Sequence, residues 1–325
     1  MGLLATALSD GPPVEREIYD GATIVPEART AIEDQRSKIS IVPGEGSVLG
    51  VWVYGANVYA FRNKSGGATA GMYKSTSTGW SEVDLGTALN FDGTVTAGEP
   101  VPGDSGTPTT IVGNGGAQGD LMGISYSGSW STGAKGVMVL TNITGTFVDN
   151  EVLKMPLLAF DTGSVEISEG DSLVGGTSGK TATVTSVTIS SGTLAGGDAA
   201  GYISVKNNSG TWTNSEPINI NGIQHALVNG AAEPAEVTVA KADGTQYAQT
   251  LQPGGKYGFS TYNFRGETTG ITMYGVNTVD NGFSWDGTTF IKMQTGMTTD
   301  TPEHVATHQK HLFFSFPNGS IQHSS

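Results

Sequence analysis

The sequence predicts an all-β protein with a β-propeller-like body, incomplete in this chain, and an inserted pair of small β-barrel or sandwich modules. Three observations lead to this fold class. Glycine makes up 48 of the 325 residues and charged residues only 14%, a composition typical of short strands joined by tight turns. Hairpin patterns recur towards both ends of the chain, and a different repeat fills its middle. No stretch reaches the roughly 18 apolar residues of a membrane-spanning helix, so no membrane insertion is expected.

Residues 1–45 differ from the rest and are predicted to form an N-terminal arm with one short helix. We expect the helix at 26–38, because Pro26 suits a first helical turn and Arg36 and Lys38 lie near the negative end of the helix dipole. The arm lacks an apolar core of its own, so we expect a partner protein to order it.

Residues 46–87 and 245–325 are predicted to form the propeller-like body. The first segment contains two successive hairpins, of which the first turns at Gly55-Ala56. The second hairpin, at 71–86, recurs at 282–296. Four antiparallel strands of this length match the size of one propeller blade.

The two body segments supply only about two blades and the start of another, at 311–316. A closed propeller has at least about four blades. We therefore expect either that the native polypeptide continues or that partner chains complete the assembly.

Residues 88–230 carry an unrelated repeat, predicted to form two tandem β-modules at about 88–160 and 161–230, followed by a linker at 231–244. The copies align without a gap at an offset of 65 residues. The aligned pairs are Asn142 with Asn207, Gly145 with Gly210, Phe147 with Trp212, and Glu151 with Glu216. The two aromatic residues are expected to be equivalent core residues, each beneath the sheet of its own module.

Two motifs match part of a catalytic or metal-binding pattern, but neither is expected to have that function. Residues 103–106, Gly-Asp-Ser-Gly, match the surroundings of a chymotrypsin-like serine, but that fold needs a histidine upstream and none precedes His225. His304, His308 and His311 have the spacing of a helical zinc site. A strand pattern follows directly, so these are expected to be surface or interface histidines.

Two further motifs are interpreted as structural. The glycine-rich stretch 113–120 could cradle a phosphate, but it opens no helix and lacks the following Lys-Ser or Lys-Thr, so a loop is expected. Residues 284–290 are close to the Asp-box turn of sialidase-like propellers, a structural turn, and the chain lacks an arginine cluster. The sequence therefore predicts that the protein is not an enzyme, with no catalytic residue, no cofactor and no metal.

The charge balance argues against a protein that grips nucleic acid. Sixteen basic and 30 acidic residues give a net charge of −14 at pH 7. Binding to a phosphate backbone needs lysine and arginine to displace counterions. An acidic wall could instead let DNA slide past it. The absence of cysteine excludes disulfides, thiol catalysis and cysteine-ligated zinc.

Several of these segments resemble bacteriophage tail proteins, namely 33–40, 50–54, 58–63 and 311–316 with 319–324. The chain is similar above all to the nozzle, stabilisation or tail-tubular proteins of short-tailed phages. The inserted repeat, at 170–171, 177–184 and 209–212, resembles β-barrel modules of phage virion proteins.

The resemblance implies a structural virion protein that forms a propeller-based ring around the DNA exit channel. Its expected partners are copies of itself in a homo-oligomeric ring, taken as a hexamer, and neighbouring tail or adaptor proteins bound through the N-terminal arm. Double-stranded DNA is expected only as a passing, non-specific cargo. The implied location is the virion, after assembly in the host cytoplasm. The alternative is a carbohydrate- or receptor-binding β protein, such as a phage adhesin or lectin.

Overall fold

The computed structural model describes residues 40–94, 99–100, 102, 109–264 and 270–324. These residues are 54% strand, and their only helical element is a 3-10 turn at Trp130–Thr132. The all-β prediction is therefore confirmed. The predicted helix at 26–38 and the Gly-Asp-Ser-Gly motif at 103–106 lie outside the described residues. The chain divides into two compact units, Met1–Val83 and Asp84–Ser325, which are described separately.

The first unit contains a four-stranded antiparallel sheet in which the strands follow chain order. The strands are β1 Glu45–Tyr54, β2 Asn57–Asn63, β3 Ala70–Thr76 and β4 Gly79–Glu82. Both predicted hairpins are confirmed. The first turn requires a left-handed residue, which Gly55 supplies with a φ of 57°.

The chain entering this sheet is held against it by side-chain hydrogen bonds. Arg62 donates from Nη1 to the Val42 carbonyl and from Nε to the Gly46 carbonyl. Trp80 donates from Nε1 to the Ser40 carbonyl at 3.0 Å. Val42 thereby packs with Ala60, Tyr73 and Trp80 in a small cluster.

The second unit begins with twelve strands joined in one antiparallel network. The strands are β5 Thr87–Asp92, β6 Thr109–Gly113, β7 Gln118–Ser127, β8 Lys135–Thr144, β9 Val152–Gly163, β10 Ser172–Gly175, β11 Thr181–Ser191, β12 Ala199–Lys206, β13 Pro217–Ile220, β14 Ile223–Val228, β15 Ala235–Ala242 and β16 Tyr247–Ala248. The last of these extends β5 at its edge.

Eleven of these strands close into two six-stranded barrels that share β9. The first barrel runs β5–β8–β7–β6–β9–β15 and back to β5. The second runs β9–β12–β11–β10–β13–β14 and back to β9. Numbered along the chain, both rings have the order first, fourth, third, second, fifth, sixth, so the two modules share one topology.

In the sequence, the second barrel is inserted between the fifth and sixth strands of the first, whereas two modules in tandem were predicted. Strand β9 is the fifth strand of the first barrel and the first strand of the second. The sixth strand of the first barrel is β15, which lies in the stretch 231–244 that was predicted as a linker. The sequence did not reveal the role of β15, because β15 and its partner β9 are separated in sequence by the whole inserted module.

The alternation of side chains along β9 explains how one strand serves two cores. Leu153, Met155 and Leu157 enter the core of the first barrel, and Leu158 and Phe160 enter that of the second. Successive residues of a strand point to opposite faces. The two cores therefore lie on opposite faces of an unbroken strand.

The predicted equivalence of Phe147 and Trp212 is confirmed. Both side chains are fully buried, Phe147 in the core of the first barrel and Trp212 in that of the second. The aligned Asn142 and Asn207 both have left-handed backbone conformations, with φ of 49° and 55°. The repeat seen in the sequence is thus a repeat of structure.

Two further sheets follow the barrels. A four-stranded sheet in chain order contains β17 Gly258–Tyr262, β18 Thr272–Val276, β19 Phe283–Trp285 and β20 Phe290–Lys292. A three-stranded sheet contains β21 His304–His308, β22 His311–Ser315 and β23 Ile321–His323. These are meanders of the kind predicted for blades, but the described residues do not establish a propeller, which stays a prediction.

Replacing Trp212 with alanine should lower the free energy of unfolding by roughly 3–5 kcal/mol, because it empties a large space in a closed core. The substitution also removes the hydrogen bond of 2.9 Å from Trp212 Nε1 to Asn208 Oδ1. Phe147→Ala is the matched change in the first barrel and should cost a similar amount. Chemical denaturation of the three proteins measures both effects. A loss below about 1 kcal/mol for either variant, a value typical of surface positions, would contradict the core assignment.

Candidate functional site

The glycine-rich loop between β6 and β7 binds a carboxylate of the chain itself. The Gly115 amide donates to Glu151 Oε1 at 2.6 Å, and the Val148 amide donates to Oε2 at 3.0 Å. Glu151 is 5% exposed. Residues 114–117 of the motif form a loop, as predicted, whereas Gly113 ends β6 and residues 118–120 begin β7; one amide of this loop already has a carboxylate partner.

The second barrel repeats this arrangement at the aligned residue Glu216, which is 2% exposed. The amides of Thr177 and Ser178 donate to Oε2 at 3.1 and 2.8 Å. Oε1 accepts from the Ser178 hydroxyl at 2.9 Å and from the Thr213 amide at 2.7 Å. In each barrel, therefore, one carboxylate ties the loop after the second strand to the loop before the fifth.

The surroundings of Glu216 have opposite effects on its acidity. Burial by itself would raise the pKa of this carboxyl group, because it disfavours the charged form. The hydrogen bonds from Ser178, Thr213 and Thr177 stabilise the carboxylate and outweigh burial, so its pKa is lowered. The group is a structural anion and not a proton donor near neutral pH.

A third buried carboxylate, Glu233, lies where the chain returns from the second barrel to the first. Its Oε2 accepts from the amides of Ala159, in the middle of β9, and Ala235, at the start of β15, both at 3.1 Å. The Glu233 backbone also exchanges two hydrogen bonds with Trp212. This residue joins the two barrels, and no repeat or motif in the sequence singled it out.

The predicted Asp-box-like turn is structural. Asp286 Oδ1 accepts from the amides of Thr288 and Thr289 at 2.8 and 2.7 Å, which shapes the turn between β19 and β20. Gly287 at its centre has a φ of 101°. The carboxylate is engaged by backbone amides, as in other Asx turns.

A buried polar cluster lies beside the β18–β19 connection and was not predicted. Asp280 contacts Lys292 Nζ through Oδ1 at 2.9 Å, and its Oδ2 accepts from Asn277 Nδ2 at 3.1 Å and from the Gln252 amide at 2.9 Å. The only hint in the sequence is Asn277-x-x-Asp280, a spacing typical of turns. Lys292 comes from another strand, which no local pattern could reveal.

The histidines predicted at the surface lie on strands and share one sheet face with a fourth histidine. Cross-strand partners lie on the same face of a sheet. The pairs on this face are His304 with Ser315, Ala306 with Phe313, His308 with His311, Phe313 with His323, and Ser315 with Ile321. Four of the five histidines of the chain are therefore grouped there. No group of three or more His, Cys, Asp or Glu residues able to hold a metal ion is found among the described residues.

Three of the five tryptophans, namely Trp130, Trp212 and Trp285, are buried, and Trp52 and Trp80 are partly exposed. The three buried side chains offer no surface on which a sugar could stack. In the part of the chain that the structure describes, no helix is long and apolar enough to cross a membrane.

Replacing Glu216 with glutamine should destabilise the protein by about 1.5–3 kcal/mol at pH 7, because several donors lose a charged acceptor. The lowered pKa in the folded state means that the stability from this group is present above the unfolded value of about 4.3 and is lost as pH falls through the folded value. The difference between wild type and variant should therefore shrink as the pH is lowered from 6 towards 3.

Urea denaturation across this pH range measures the difference. Glu169→Gln, which changes an exposed carboxylate of the same barrel, is the matched control and should have little effect. An equal effect of the two substitutions would contradict the structural role of Glu216.

Comparison of the chain with protein-family models, with curated proteins and with solved structures finds no match in any of the three. The resemblance to phage tail proteins therefore stays a prediction.

Proposed function

We propose that the protein is a structural component of a bacteriophage tail, a subunit of a ring around the DNA exit channel, and that it performs no catalysis. The observation that carries this proposal is the sheet β21–β23, of which only one face is packed by the residues that the structure describes. Leu312, Phe314 and Phe316 pack with Tyr274 and Val276 of the preceding sheet. The opposite, open face carries the four histidines, Phe313 and Ile321, and four of these six side chains are exposed among the described residues.

A second copy of the chain is the partner that this face would take. Sheets in this part of the molecule already stack face to face, and the open face would receive a sheet in the same way. It carries no Asp, Glu, Lys or Arg apart from Glu303 and Lys310 at its border, whereas the chain carries a net charge of −14. A face poor in carboxylates is where two copies of so acidic a protein can approach at the least electrostatic cost.

The inserted barrels suit a structural role. Each of the eleven ring strands pairs with a neighbour on both sides, so the rings themselves offer no open edge to other chains. Their buried glutamates accept hydrogen bonds from backbone amides, so these carboxylates have a structural role. The acidic surface would let DNA pass as a cargo without counterion release. Residues 1–39 of the N-terminal arm, which is proposed to bind neighbouring tail proteins, lie outside the described residues.

The wild-type protein should form a particle whose mass is a multiple of the chain mass, with six copies expected, and Ile321→Glu should reduce it to monomers. Ile321 lies on the open face and is 65% exposed. The matched control is Ile223→Glu in the second barrel, where the side chain is 61% exposed. Light scattering after size exclusion measures the masses, and negative-stain images show whether the particle is a ring.

A monomeric wild type would contradict the ring. A wild-type oligomer that Ile321→Glu leaves intact would place the interface elsewhere.

A further inference from the structure

We propose that the cluster of Lys292, Asp280 and Asn277 forms an intramolecular isopeptide bond between the Lys292 amine and the Asn277 side-chain carbonyl carbon. Its three parts are an amine nucleophile, an amide electrophile and a carboxylate that contacts both. Asp280 Oδ1 lies 2.9 Å from Lys292 Nζ, and its Oδ2 lies 3.1 Å from Asn277 Nδ2. The carboxylate therefore bridges the attacking and the leaving nitrogen.

The electrophile is held by two backbone donors. The amides of Asp280 and Val279 donate to Asn277 Oδ1 at 2.8 and 3.2 Å. Negative charge develops on this oxygen when an amine adds to the carbonyl carbon. Preorganised amide donors at such an oxygen stabilise the tetrahedral intermediate of acyl transfer.

The cluster is shielded from water, which favours the amine over hydrolysis. Asn277 is 1% exposed, and the side chains of Asp280 and Lys292 are 3% and 18% exposed. Buried Phe283 pairs with Lys292 across the strands, and the ring of Tyr257 packs beside Phe283. A nucleophile and an electrophile that are held by the same carboxylate make the reaction effectively unimolecular.

The reaction balances without an outside reactant. The Nζ–Cγ bond forms and the Cγ–Nδ2 bond breaks. Asp280 takes one proton from the Lys292 ammonium group, which frees the amine to attack, and passes this proton to Nδ2 as the Cγ–Nδ2 bond breaks. The released ammonia takes up the second proton that Nζ loses, so the products are the isopeptide bond and an ammonium ion. Asp280 acts first as general base and then as general acid, and it is regenerated.

The bond would tie the residue after β18 to the last residue of β20 across β19, closing the end of the four-stranded sheet. A covalent tie of this kind resists unfolding under load. It is independent of the proposed ring, since it concerns the chemistry of one chain.

The intact mass of the purified protein tests the proposal directly. It should fall below the mass of the sequence by about 17 Da, the mass of ammonia. Trypsin should fail to cut after Lys292, which gives a peptide 266–310 lighter by the same amount instead of 266–292 and 293–310. The full sequence mass would overturn the proposal.

Variants separate this bond from cyclisation of an asparagine to a succinimide, which also releases ammonia. Lys292→Arg, Asp280→Asn and Asn277→Ala should each restore the full mass. Lys135→Arg should keep the deficit, because Lys135 forms an exposed ion pair with Asp92. A deficit that persists in Lys292→Arg would show a succinimide and overturn the proposal.

Discussion

The double barrel depends on strand β9, whose twelve residues hydrogen-bond to β6 and β15 in one barrel and to β12 and β14 in the other. A strand can serve two cores only if its side chains alternate without interruption, since a slip of one residue would turn every core side chain outward. Leu157 and Leu158 are the neighbours at which the core changes from one barrel to the other. Each belongs to a different face, so both barrels close without a break in the strand.

Buried carboxylates stabilise the loops of the two barrels and the junction between them. Small barrels leave loop amides at their ends, and an unpaired buried amide costs free energy comparable to a lost hydrogen bond. Glu151 and Glu216 satisfy several such amides at once, and Glu233 satisfies two at the junction of the barrels. Charged acceptors make stronger hydrogen bonds than neutral ones. In a chain with so many acids, this gives part of the negative charge a structural use, and it explains why glutamate stands at aligned positions of the repeat.

Local patterns predicted the elements, and long-range pairing decided their arrangement. The hairpin at Gly55-Ala56, the aligned aromatics Phe147 and Trp212, and the strand character of 311–316 were readable because each depends on neighbours in sequence or on a gapless repeat. The insertion of the second barrel into the first could not be predicted, because β15 and β9 are separated in sequence by the whole inserted module. The same reason hid the approach of Lys292 to Asp280 and Asn277, and the grouping of His323 with His311. The functional prediction came from resemblance and composition, neither of which indicates which surfaces the protein uses.

The double barrel requires β9 to be one continuous strand common to both rings, and hydrogen exchange of its backbone amides tests this in the unmodified chain. Protection should extend without a gap from Val152 to Phe160, except at Pro156, which has no amide N–H, and should include Leu158 and Ala159 at the crossing. Ala159 should be among the slow amides, because its N–H is bonded to the buried Glu233 carboxylate. Exchange by local opening depends on the free energy of that opening, so a rigid shared strand should exchange only with the barrels themselves. Fast exchange at 157–159 between two protected blocks would contradict a shared strand, since it would mean two separate barrels joined by a linker.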